Sequence, residues 1–204
     1  MKSDIKAIIF DFGGVLLEWD PRNLYRRYFP NQPRAMEAFL KEIDFFNWNN
    51  QQDKGRAFAE GNAELIMQFP QHAKLIEAYF ENWEDSITGS IPGTVDILRT
   101  LKGKGYPLYG LSNWSTETFP RAQHLYPFFD WFDGIVLSGD VKLNKPDHAI
   151  FNQLLNKINY SAPECLLIDD SQPNVDAAKK LGFVTTHFTS PEKLRTEMLR
   201  LNLL

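Results

Sequence analysis

The chain has 204 residues, 43% hydrophobic and 24% charged, with 22 Lys and Arg against 26 Asp and Glu for a net charge of −4. That length suits one compact domain, or one domain with a modest insert, and an acidic balance without a Lys/Arg-rich block leaves no electrostatic footprint for nucleic acid. No apolar run approaches the ~20 residues of a membrane span, and Cys165, the single cysteine, has no partner for an internal disulfide and sits in CLLIDD, which reads as a buried strand.

The N-terminus, MKSDIKAIIF, runs its one short apolar stretch straight into Asp11. A secretory signal has a longer apolar region and a small-residue cleavage site, so a cytoplasmic location is expected. The strand AIIFDF ends on Asp11 and turns through Gly13 and Gly14. At the carboxyl end of a parallel strand a reactive group is exposed while its backbone stays fixed, and glycines let backbone N–H and C=O groups approach an anion or metal. An ordinary Asx-turn would use the same residues.

From Pro21 to Ser90 the sequence is rich in Phe, Trp, Asn, Gln and Glu, lacks strand alternation and is broken at Pro30, Pro33 and Pro70. It reads as an all-helical insert. An insert after the first strand stands over the carboxyl ends of the strands, where open α/β sheets bind ligands, so it is a candidate lid. From residue 91 onward strands alternate with helical segments. YPLYGLSN, GIVLSG, CLLIDD and FVTTHF are the strands; PGTVDILRTLKGKG, TETFPRAQHLY, KPDHAIFNQLLNKI and PNVDAAKKLG are the helical segments. That alternation predicts an α/β fold, a Rossmann-like parallel sheet with helices on both faces. The division is a core of residues 1–17 and 91–204 with a helical cap over 18–90.

Three further strands lead to polar groups: Ser112 and Asn113 after YGL, Lys145 in VKLNKP after GIVLSG, and Asp169 with Asp170 after CLLI. Two adjacent carboxylates after an apolar run repel one another unless a cation or hydrogen-bond donors compensate. Asp11, Asp170 and a backbone oxygen such as that of Gly13 would supply the hard oxygen ligands Mg2+ prefers. Capping of the helix near Pro173 is the alternative for the acidic pair. Lys145, read as preceding a helix whose first turn holds Pro146, would neutralise the cluster, and Ser112 and Asn113 would donate to phosphate oxygens.

In their order, FDFGGVL, GLSN, KPDHAIF and LIDDSQPNVDAA closely resemble the four motifs of the haloacid-dehalogenase-like hydrolase superfamily. The helical insert matches members with an α-helical cap, and the branch most similar is that of sugar-phosphate phosphatases, which includes a glucose-1-phosphate phosphatase. The resemblance implies that Asp11 attacks phosphorus and forms an aspartyl-phosphate, that Ser112 and Asn113 hold phosphoryl oxygens, and that Lys145 steadies nucleophile and phosphoryl group. It further implies Mg2+ on Asp11, Gly13 and Asp170, with Asp169 and Asn174 orienting them from behind. One position departs from the pattern: the usual Asp two residues past the nucleophile is Gly13 here. General acid–base assistance is typically worth ~10²- to 10⁴-fold. A cap residue or solvent would replace it, a good leaving group would need little help, or the reaction would not be phosphoryl transfer. The expectation is a Mg2+-dependent phosphatase of small phosphorylated metabolites, sugar phosphates foremost. A 2-haloacid dehalogenase-type hydrolase fits Gly13 but leaves Asp169 and Asp170 uncompensated, and a catalytically silent phosphometabolite-binding protein would not require Asp11, Lys145 and Asp170 together.

Substrate choice would come from the insert. Trp19, Asp20 and Arg22 lie just past the nucleophile loop, and Trp48, Asp53 and Arg56 surround Gly55; these are the candidate substrate contacts, with helix capping or a solvated face as the alternative. His72, His124, His148 and His187 show no metal spacing. The aromatic segments WSTETFP and LYPFFDWF fit either a core or a partner surface.

Overall fold

The computed structural model describes residues 5–204. Among them, the core elements are β1 (Ala7–Phe10), then, past the insert, α6 (Pro92–Gly103), β4 (Leu108–Ser112), α7 (Phe119–Leu125), β5 (Gly134–Leu137), α8 (Ser138–Val141), α9 (His148–Lys157), β6 (Cys165–Asp169), α10 (Gln172–Lys180), β7 (Val184–His187) and α11 (Pro191–Arg200). The insert carries β2 (Leu17–Trp19), α1 (Pro21–Tyr25), α2 (Pro33–Glu42), α3 (Phe45–Asp53), α4 (Phe58–Gln68), α5 (Ala73–Glu81) and β3 (Ile87–Ser90).

Five strands form a parallel sheet in the order β5-β4-β1-β6-β7. Alternate residues of each strand serve opposite faces. Ile8, Phe10, Leu108, Leu166 and Ile168 join one buried cluster, while Ala7, Ile9, Leu111, Cys165 and Leu167 join the other. Both faces are dry, which is why these strands read as continuous apolar runs. Phe10 pairs with both Gly110 and Ile168, and the Asp11 N–H donates to the Ile168 carbonyl at 2.9 Å. That register sets the ends of β1, β4 and β6 side by side.

The insert is helical from α1 to α5, but its two ends pair as an antiparallel ribbon, β2 with β3. Strands of three and four residues are too short for a period-2 pattern to be read from sequence. The first helix is set by Asp20, whose carboxylate accepts the Arg22 N–H at 2.9 Å, with Pro21 opening the helix. The helix after Lys145 also begins later than its proline suggests: α9 starts at His148, capped by Asp147, which accepts the Ala149 N–H at 2.9 Å. Lys145 and Pro146 thus belong to the preceding loop.

From the two aromatic segments, Trp114, Phe119, Phe128 and Phe129 are buried. Phe12, directly after Asp11, is enclosed by Trp114, Phe119, Phe129 and Phe132 at ring-centroid distances of 6.2, 6.1, 4.9 and 5.3 Å. A Cβ on Gly110 would sit 2.2 Å from the Phe12 ring, so glycine in the middle of β4 makes room for the side chain that anchors the Asp11 loop. Burial of such a ring stabilises by about 2–3 kcal/mol. No helix among the described residues is long and apolar enough to cross a membrane.

Candidate active site

At the carboxyl edge of the sheet, Asp11 is 7% exposed and Lys145 4%, and Asp169 is fully buried. The Lys145 ammonium sits between two carboxylates, 2.9 Å from Asp11 Oδ2 and 2.6 Å from Asp169 Oδ2, and donates to the Leu111 carbonyl at 2.8 Å. The other Asp11 oxygen, Oδ1, accepts from Ser112 Oγ at 2.8 Å and from the Phe12 N–H at 2.7 Å. Asp169 is fixed from behind by Asn174 Nδ2, at 3.0 and 3.2 Å, and by the Ser171 N–H at 2.9 Å. Ser171 is the N-cap of α10; neither acidic residue holds that position.

Asn113 lines the cavity, and its side chain also bridges two segments of the core. Its Oδ1 accepts the Lys145 N–H at 2.8 Å and its Nδ2 donates to the Lys145 carbonyl at 3.0 Å. It thereby ties the end of β4 to the loop that carries the lysine.

Oxygen atoms of Asp11, Asp169 and Asp170 lie within 4.8 Å of one another. Three carboxylates face one ammonium. Burial lifts the Asp11 carboxyl to about 7, with Lys145 pulling down and Asp169 and Asp170 pushing up. Asp170 is raised by burial and by Asp169. Burial pulls the Lys145 ammonium down, but Asp11 and Asp169 together carry it above its usual value. Such a set is short of positive charge, and a divalent cation with oxygen preference fits it. The turn is shaped to admit Asp170: Gly14 has φ +73°, and a Cβ there would lie 2.2 Å from Asp170 Oδ2. Gly13, in contrast, has open space where its Cβ would be.

This cluster forms the floor of a cavity of about 720 Å³ whose roof comes from the insert. A family model of haloacid dehalogenase-like hydrolases matches residues 5–182. The chain belongs to this family. Among its relatives, a sesquiterpene phosphatase of Aspergillus oryzae is 29% identical over 190 residues, covering 93% of this chain and 92% of that one. The phosphorylated carbohydrates phosphatase of Thermotoga maritima is 25% identical over 198 residues, covering 87% and 82%. A haloacid dehalogenase-family enzyme of Bacteroides thetaiotaomicron, solved in complex with magnesium and inorganic phosphate, superposes with a TM-score of 0.70 at 26% identity over 91% of this chain and 95% of that one.

In this haloacid dehalogenase-like hydrolase the six insert residues singled out from sequence divide. Trp19 and Asp53 line the cavity; Asp20, Arg22, Trp48 and Arg56 do not. Asp20 caps α1, and Arg22 pairs with Glu37 at 2.6 Å and with Asp20 at 3.2 Å. Trp48 is buried among the helices, its indole N–H donating to the Gly61 carbonyl at 3.0 Å. Arg56 pairs with Glu64 and with Gln52 Oε1, each at 2.6 Å. The roof also includes Phe46, Asn49, Tyr79 and Trp83, and Trp114 joins them from the core. Sequence reasoning passed over these five. Phe46, Asn49 and Asp53 follow an i, i+3, i+7 spacing on α3, one helical face. That was the available signal, but FFNWNNQQD mixes apolar and polar residues on every side, so its inward face cannot be phased from sequence.

Asp53, the last residue of α3, sits on the seam between insert and core. Its carboxylate Oδ2 accepts from Asn49 Nδ2 at 2.9 Å, and the backbone N–H of Ser115 pulls against the rise that burial causes in its pKa. Its own carbonyl accepts from Ser138 Oγ, which in turn accepts the Trp114 N–H at 2.8 Å. No cationic side chain among the described residues pairs with it, and burial raises its carboxyl to about 8. Tyr79 faces the same space; its hydroxyl has no acceptor among the described residues, and burial, with Asp53 nearby, holds its pKa well above the usual phenol value.

Proposed function

We propose that the protein is a Mg2+-dependent phosphatase of small phosphorylated metabolites, working through a phosphoryl-enzyme on Asp11. The observation that carries the reading is the buried Lys145 ammonium held between Asp11 and Asp169 with Asp170 beside them, at a cavity that Asp11, Lys145 and Asp170 line. A carboxylate that attacks an anionic phosphate meets like-charge repulsion, and a fixed ammonium lowers that cost. Ser112 and the Phe12 N–H, both donors to Asp11 Oδ1, orient the nucleophile, while Asn113 holds the Lys145 backbone in register. Asp11, the Gly13 carbonyl and Asp170 would hold Mg2+, which when bound supplies the positive charge the cluster lacks. Residues 18–90 would act as the cap that selects the leaving group.

The magnesium and phosphate in the Bacteroides relative and the phosphatase names of the others support this reading. A sugar phosphate is the first substrate class to screen, since the Thermotoga relative is named for phosphorylated carbohydrates. The aromatic roof favours a second class, a phosphate on an apolar group: Trp19, Phe46, Tyr79, Trp83 and Trp114 bring five rings to the cavity.

The test is phosphate release from a panel of sugar, alkyl, prenyl and aryl phosphates by purified protein, with and without Mg2+. Wild-type protein should turn over at least one class only with the metal, and Asp11→Asn should abolish turnover while keeping the melting transition. Activity retained in Asp11→Asn would assign the nucleophile elsewhere.

A further inference from the structure

We infer that Asp53, supplied by the insert, is the acid and base of the reaction, protonating the departing oxygen and then taking a proton from the attacking water. The inference rests on the phosphatase reading above and answers the question left by Gly13. That position is not closed to a side chain: a Cβ on Gly13 would meet nothing within 4 Å. The turn nonetheless carries no carboxyl there, and the other walls of the cavity are where a side chain that supplies the proton is to be sought.

The titratable groups lining the cavity are Asp11, Asp53, Tyr79, Lys145 and Asp170. Lys145 is committed to Asp11 and Asp169, and its pKa lies above the usual lysine value. Tyr79 holds its proton too tightly to give it up near neutral pH. Asp11 and Asp170 belong to the acidic cluster on the floor. Asp53 remains, and it lines the same cavity from the insert. Its carboxyl is also positioned: Asn49 Nδ2 donates to Oδ2 at 2.9 Å. A carboxyl desolvated without a cation partner keeps its proton near pH 7, as an acid must.

In the first step an Asp11 oxygen forms a bond to phosphorus as the bond from phosphorus to the leaving oxygen breaks. The electron pair stays on that oxygen, which takes the Asp53 proton. In the second step water attacks phosphorus, its proton passes to the Asp53 carboxylate, and the bond from phosphorus to Asp11 breaks, returning the Asp11 carboxylate and releasing inorganic phosphate. One water is consumed, and Asp53 ends protonated as it began.

An acid matters most when the leaving group is poor. The experiment measures kcat/KM with Mg2+ for 4-nitrophenyl phosphate, phenyl phosphate and a set of alkyl phosphates, using wild type, Asp53→Asn and Asp53→Ser. Both variants should lose ~10²- to 10³-fold on the alkyl esters and less than about fivefold on 4-nitrophenyl phosphate. The plot of log kcat/KM against leaving-group pKa should be correspondingly steeper. Retained aryl phosphate turnover also reports an intact fold. An equal loss across the series, or no loss, overturns the role of Asp53 while leaving the phosphatase reading standing. A wild-type protein inactive on every ester overturns both.

Discussion

Asp53→Asn should make the protein more stable, and increasingly so as pH rises. The folded state lifts this carboxyl from 3.8 to about 8 because burial strips its hydration and no cation compensates. A raised carboxyl pKa means that the folded form binds the proton more tightly than the unfolded form. Its stabilising contribution is therefore complete below about pH 4 and is lost as pH climbs toward 8. A shift of about four units corresponds to a ceiling of roughly 6 kcal/mol at about 1.4 kcal/mol per unit. Water entering the cavity lowers that ceiling, and about 2–4 kcal/mol is the expected change between pH 5 and pH 8. Asparagine is isosteric and does not titrate, so any cost of its amide against Asn49 or Ser115 is constant with pH and drops out of the difference. Urea denaturation of both proteins at pH 5, 6, 7 and 8 gives the comparison directly. A stability gap constant within about 0.5 kcal/mol over that range would mean that Asp53 is ionised and solvated in the folded protein, and the reasoning for its proton would fall with it.

Gly14→Ala and Gly13→Ala should separate sharply. The first forces a side chain into φ +73° with its Cβ 2.2 Å from Asp170 Oδ2, costing about 2 kcal/mol or more and weakening Mg2+ binding; the second meets open space and should stay within about 0.5 kcal/mol. Thermal melts and Mg2+ titration calorimetry check both, and a stable, metal-binding Gly14→Ala would refute the shape assigned to the turn. Lys145→Met leaves Asp11 and Asp169 without their shared cation, a loss of about 3–5 kcal/mol near pH 8, partly recovered by added Mg2+. An unchanged melting temperature in the variant, or one indifferent to Mg2+, would contradict the charge accounting of the cluster.

The floor of the cavity was legible because each of its residues punctuates an apolar run. Asp11 closes AIIF, Ser112 ends LYGL, and Asp169 with Asp170 follows CLLI; in a parallel sheet such interruptions fall at one edge, and the structure brings Asp11, Ser112 and Asp169 within hydrogen-bonding reach of Lys145 or of one another, with Asp170 within 4.8 Å of the two carboxylates. The reason for the lysine's reach was not legible, since it comes from Asn113 holding a loop rather than from a helix turn. The roof was harder still. Trp48 and Asp53 are five residues apart on one helix, yet Trp48 packs inside the bundle and Asp53 faces the cavity, because helical phase is decided by which neighbouring helices are present. The ribbon of β2 and β3 was also hidden, its pairing being a contact between segments some seventy residues apart.

That ribbon has a consequence for how the molecule can be altered. Glu18 lies opposite Gly89, and the Ile91 N–H reaches the Leu16 carbonyl at 2.8 Å, so the polypeptide leaves the sheet and returns to it at almost the same point. Everything between is a closed excursion, and the entropy of closing it grows only as the logarithm of its length. A longer or shorter bundle spliced onto the same two rails would cost little in loop closure, provided that it kept Asp53 and the contacts that seat it on the core, such as Ser138 on the Asp53 carbonyl.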